Sequence, residues 1–161
     1  MRRTETERAI DLAYKAVARR DLTVAELRTR LERKHVPPEA IDDAVAELEE
    51  TGFLDDARYA RQFAEDKREL EQWGTERIAR DLNRRGIAPH LIDAATSTHS
   101  RDSELRTALL LLEQRYQSAP RDDRERDRAW QMLVRRGYAH EIAYDAIRAW
   151  ERSHRERRRA A

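Results

Sequence analysis

Arg30-Leu31-Glu32-Arg33-Lys34-His35-Val36 returns 51 residues later as Asp81-Leu82-Asn83-Arg84-Arg85-Gly86-Ile87. It returns 51 residues after that as Met132-Leu133-Val134-Arg135-Arg136-Gly137-Tyr138. The same offset lays Leu31 on Leu82 and Leu133, Ala40 on Leu91 and Ile142, and Ala44 on Ala95 and Ala146. Apolar residues falling on apolar residues at a fixed period of this size mark tandem supersecondary units. The period decides the fold.

Outward from that stretch, each unit reads as helix, turn, helix, turn, helix. In the first, Ala9, Leu12, Ala13 and Val17 form one helical stripe, and Asp21-Leu22-Thr23 interrupts it. Thr23 with Glu26 has the capping-box spacing that opens a second helix, with Val24, Leu27 and Leu31 inward. Pro37-Pro38 suits the first turn of a third, whose Ile41, Ala44, Val45 and Leu48 face the core until Gly52 ends it. The second unit places Tyr59, Ala60 and Phe63, then Ile78 and Leu82, then Leu91, Ile92 and Ala95 inward. The third places Leu105, Leu109, Leu112 and Tyr116, then Trp130 and Leu133, then Ile142, Ala146, Ile147 and Trp150 inward. Its first helix aligns only if three residues are inserted around Ser118-Ala119-Pro120. The expectation is an all-α chain of three tandem three-helix, helix-turn-helix-like repeats, 1–54, 55–100 and 101–152, with a basic tail at 153–161. Stacked units of this kind form an elongated array.

Composition excludes several functions. The chain has no cysteine, so it has no disulfide, thiolate nucleophile or cysteine zinc site. Met1 to Arg8 is charged and lacks a signal-like apolar region. The longest apolar run, Ala108 to Leu112, is far shorter than the roughly 20 residues of a membrane span. A cytoplasmic chain with no membrane contact is expected. The five histidines form no metal-ligand spacing, no glycine loop suits phosphate, and no serine has a nucleophile's setting. Neighbouring Asp55 and Asp56 diverge on a helix and read as caps rather than an acid/base pair. No enzyme, metal or cofactor is expected. Trp130 and Trp150 read as core; Trp73, beside Gly74, reads equally as packing anchor or partner contact.

Arginine outnumbers lysine 30 to 3, yet the formal net charge is only +1. The excess sits in the tail from Arg152 onward, where five arginines face one glutamate. In the second helices, Arg28, Arg30, Arg33 and Lys34 recur as Arg77, Arg80, Arg84 and Arg85, then as Arg126, Arg128, Arg135 and Arg136. Glu39 to Glu50, by contrast, holds six acids and no base. The candidate partner-binding residues are Arg77, Arg80, Arg84, Arg85, Arg128, Arg135 and Arg136. Arg77, Arg80 and Arg84 stand at i, i+3 and i+7, a stripe expected to face away from Ile78 and Leu82 and to add little stability.

Thr23-Val24-Ala25-Glu26-Leu27-Arg28-Thr29-Arg30-Leu31, Gly52-Phe53-Leu54-Asp55-Asp56-Ala57-Arg58-Tyr59-Ala60, Gly74-Thr75-Glu76-Arg77-Ile78 and Leu82-Asn83-Arg84-Arg85-Gly86-Ile87 resemble segments of the RecX family of bacterial regulatory proteins. The likeness runs from about residue 8 to 150. It implies a monomeric negative regulator that binds the RecA recombinase and its filament on DNA, suppressing ATP hydrolysis and strand exchange. Contact with DNA itself would be weak or indirect. His35 departs from the resemblance, standing where the family tends to have glycine. The rival readings are a helix-turn-helix DNA-binding protein and a non-enzymatic helical adaptor.

Overall fold

In the computed structural model, residues 4–161 are described; Met1 to Arg3, the start of the charged N-terminal segment, lie outside them. Among the described residues there are nine α-helices and no strand. These are α1 (Glu5–Arg19), α2 (Val24–Glu32), α3 (Pro38–Glu50), α4 (Asp56–Glu71), α5 (Thr75–Arg84), α6 (Pro89–Thr96), α7 (Arg101–Arg115), α8 (Asp123–Arg135) and α9 (His140–Ala160). No helix among them is long and apolar enough to cross a membrane.

The helix ends follow local chemistry. Thr4 caps α1 in a full capping box with Glu7. Thr23 caps α2 by accepting from the Glu26 amide, but the Glu26 carboxylate turns to Arg20 and Arg85, 3.1 and 3.5 Å away. Pro38 opens α3, and Asp55 accepts from the Arg58 amide at the start of α4. After α2, α5 and α8 the chain takes a left-handed residue: His35 at φ +58, Gly86 at +79 and Gly137 at +97. Helix α9 runs on through the basic tail to Ala160.

Contacts gather the chain into two compact units: residues 1–63 with 81–95, and residues 64–80 with 96–161. Helices α4 and α5 contribute to both. The first core is built on Ala9, Ala13, Leu27, Leu31, Ala44 and Leu48. The second is built on Ala108, Leu112, Leu133, Ala143, Ala146 and Trp150. Several positions expected inward are only partly buried, among them Tyr59, Phe63 and Leu91. Leu105 and Leu109 are only partly buried, because α7 is turned to bury Glu104, Ala108, Leu111 and Leu112. Trp130, expected in the core, is also only partly buried. Trp73 is a packing anchor, 8% exposed, with Lys67 and the Arg77 guanidinium over its ring at 4.6 and 3.8 Å.

Candidate partner-binding site

The second-helix arginines must be read against the backbone they adjoin. In the first unit, the Arg85 carbonyl accepts from the Thr23 hydroxyl at 2.7 Å. Asp56, on α4, accepts from the Val24 amide at 2.9 Å, satisfying a donor of the first turn of α2. A Cβ on Gly86 would lie 2.4 Å from the Ala25 Cβ. In the second unit the same parts recur at the start of α5. The Arg136 carbonyl accepts from the Gly74 amide at 2.8 Å. Glu104, on α7, accepts from the Thr75 amide at 2.6 Å. A Cβ on Gly137 would lie 2.3 Å from the Arg77 Cβ. Two junctions therefore share one plan: a carboxylate from the next three-helix repeat's first helix and a left-handed glycine close on the first turn of a second helix.

His35 now has a physical reason. It occupies the left-handed position of α2, and it is exposed. There the preceding carbonyl, Lys34 O, accepts instead from Arg8 of the same three-helix unit at 3.2 Å. A side chain in this conformation is tolerated where there is space, while Gly86 and Gly137 have none.

Three of the seven candidate arginines are built into the fold. Besides lying over Trp73, Arg77 packs its stem against Gly137. Arg85 donates to the Tyr59 hydroxyl at 2.8 Å, sits 3.5 Å from Glu26 and covers the Phe63 ring at 5.0 Å. Arg136 donates to the Glu71 carbonyl. The other four, Arg80, Arg84, Arg128 and Arg135, are exposed, with Arg84 beside Asp81. The expectation that Arg77 sits on an idle polar face is corrected: α5 is short, and its first turn is covered by the α8 end.

In the first unit a cleft collects Arg30, Arg33, Lys34 and Arg84. Arg20 and Arg85 lie at the same cleft and share the single Glu26 carboxylate. Its net character is cationic.

The sequence reading missed Arg68 and Glu104, each 9% exposed. Arg68 donates to the Thr96 carbonyl at 3.1 Å and the Thr75 hydroxyl at 3.3 Å. Burial lowers its pKa, and the nearby Glu104 charge opposes that shift. The same cluster depresses His99, first through burial and then through the Arg68 charge. Burial raises Asp56, against the lowering pull of the Val24 amide bond. A signal for Glu104 existed: removing the three-residue insertion sets it on Asp56, with Ala108 on Ala60.

The comparisons with known proteins fit this architecture. Residues 9–48 match the model for the first three-helix domain of RecX, and residues 55–95 match that for its second. The "Regulatory protein RecX" of Deinococcus radiodurans is 33% identical over 147 residues, covering 91% of this chain and 70% of that protein. That of Trichlorobacter lovleyi is 35% identical, covering 81% and 87%. The chain belongs to the RecX family. The crystal structure of RecX from Lactobacillus salivarius has the same fold, with a TM-score of 0.82 at 16% identity, over 91% of this chain and 97% of that one. RecX proteins are non-enzymatic regulators, which favours the regulator reading over the helix-turn-helix rival.

Proposed function

We propose that this chain binds the RecA recombinase and its filament on DNA and suppresses ATP hydrolysis and strand exchange there. Family membership makes it a RecA-modulating regulator; the manner of suppression and the residues below are the proposed part. The observation that carries the site is the division of the arginines. Among the seven candidates, Arg77, Arg85 and Arg136 are engaged with other parts of the fold, whereas Arg80, Arg84, Arg128 and Arg135 are exposed, Arg84 beside Asp81 of its own helix.

In the first unit the binding face is the cleft of Arg30, Arg33 and Arg84. In the second unit it is contributed by Arg80, Arg128 and Arg135. Guanidinium forks of this kind take carboxylates or phosphates bidentately, and a filament of protein on DNA presents both. The division into 1–54, 55–100 and 101–152, with a basic end at 153–161, spreads such contacts over several units of one cytoplasmic monomer.

Charge reversal of Arg30, Arg33 and Arg84 together abolishes inhibition of RecA ATP hydrolysis on single-stranded DNA, while circular dichroism stays helical. Full inhibition by that folded variant removes the cleft from the binding site. The same reversal at Arg77 gives a different result, a loss of stability, because its guanidinium lies over Trp73 and its stem against Gly137.

A further inference from the structure

Arg28 and Asp42 form an ion pair of 2.7 Å between α2 and α3. Two periods later the same positions hold Trp130 on α8 and Tyr144 on α9. A self-satisfied polar bridge is thus replaced by two rings, with Tyr144 54% exposed and Ile147 beneath. Arg148 lies over the Tyr144 ring at 5.5 Å and donates to its hydroxyl at 3.1 Å. Trp130 is held edge-on by His140 at 5.0 Å.

This aromatic groove does not end at the rings. It is bordered by the Arg126–Glu151 pair, at 2.8 Å, and that pair also borders a cleft lined by Ser118, His154, Arg155 and Arg158. Tyr144, Arg148, Arg155 and Arg158, at i, i+4, i+11 and i+14, share one face of α9 over about 21 Å. Glu151 on this face is neutralised by Arg126, so the face as a whole is cationic. All these residues belong to the second unit.

We propose that these two adjoining clefts, one aromatic and one arginine-lined, together bind single-stranded nucleic acid. Unstacked bases lie against Trp130 and Tyr144, since ring faces accept any base, and the phosphates run toward Arg155 and Arg158. A duplex keeps its bases stacked and reaches only the arginine end. An acidic peptide matches the charge but leaves the Trp130 and Tyr144 rings without a stacking partner. This site lies apart from the cleft of the first unit, and its test contains no RecA, so its failure leaves the regulator reading untouched.

The test titrates the full chain into fluorescent poly(dT), a matched duplex and poly-glutamate. Poly(dT) binds more tightly than the duplex. Tyr144→Ala weakens poly(dT) binding about tenfold and leaves the duplex unchanged. Arg155→Ala with Arg158→Ala lowers the salt slope on poly(dT) by about 1.4. Tyr144 is exposed, so its variant folds, and circular dichroism checks this. Trp130→Phe, which keeps a stacking face, retains most binding. The proposal is overturned if Tyr144→Ala binds poly(dT) like the parent, if duplex binds as tightly as single strand, or if poly-glutamate competes with equal strength and is itself sensitive to Tyr144→Ala.

Discussion

The two junctions solve one problem with different atoms. At the start of α2, Thr23 reaches the Arg85 carbonyl with its hydroxyl. At the start of α5, the backbone amide of Gly74 reaches the Arg136 carbonyl directly, and the Glu76 amide reaches the Gly137 carbonyl at 3.0 Å. A side chain acts as a spacer in the first unit; in the second unit backbone meets backbone. A Cβ on Gly74 would lie 2.4 Å from the Gly137 carbonyl group, and one on Gly137 would meet the Arg77 backbone nitrogen at 2.5 Å. The second junction is therefore the less forgiving. Its carboxylate is also the more committed, since Glu104 accepts from Thr75 and balances the buried Arg68.

The largest effect is expected at the glycines. Gly137→Ala combines a left-handed backbone with backbone overlap and loses about 3–4 kcal/mol in urea denaturation. Gly86→Ala meets only the Ala25 methyl and loses less, and His35→Gly changes stability by less than about 1 kcal/mol, on the favourable side. Gly74→Thr, which installs the residue found at position 23, is strongly destabilising. If it is tolerated, the contrast between the two junctions collapses.

Next come the carboxylates. Asp56→Ala leaves the Val24 amide unmet and costs about 1–2 kcal/mol, as loss of an N-cap does. Glu104→Ala costs more, because it also strips a counter-charge from Arg68. Equal losses in denaturant titration would mean that Arg68 draws nothing from Glu104.

Acidification separates the units more gently. His99 is lowered from 6.5 in the fold, so its contribution is present above 6.5 and lost as pH falls through its depressed value. Asp56 is raised from 3.8, so its contribution is present below 3.8 and lost as pH rises through its elevated value. Between pH 7 and 5 the second unit weakens while the first does not. His99→Gln abolishes the weakening, as read from melting temperatures across that range. The smallest contrast lies along α5: Arg77→Ala loses about 1 kcal/mol with its stacking on Trp73, and Arg80→Ala loses almost nothing.

Much of this was legible in the linear chain, for a local reason. Helices, caps and left-handed glycines depend on neighbours within a few residues, and the period exposes the core at Leu31, Leu82 and Leu133. The family resemblance was legible because its segments, Gly52 to Ala60 above all, hold turns and one junction carboxylate, Asp56. The arginine row was legible as a row but not as two populations. Periodicity marks which residues are polar, not which polar residues another helix covers.

That last distinction belongs to tertiary structure alone. Whether Arg77 is free or stacked depends on Trp73 and on the α8 end 60 residues along the chain at Gly137. Whether Glu104 is a surface acid or a buried cap depends on an amide 29 residues before it. Sequence determined the helices, their periodic core positions and the glycines at their ends, because those arise from short-range sterics and hydrogen bonding. Only the fold decided which charges serve the junctions and which remain for a partner, because desolvation is set by what packs against a group in space.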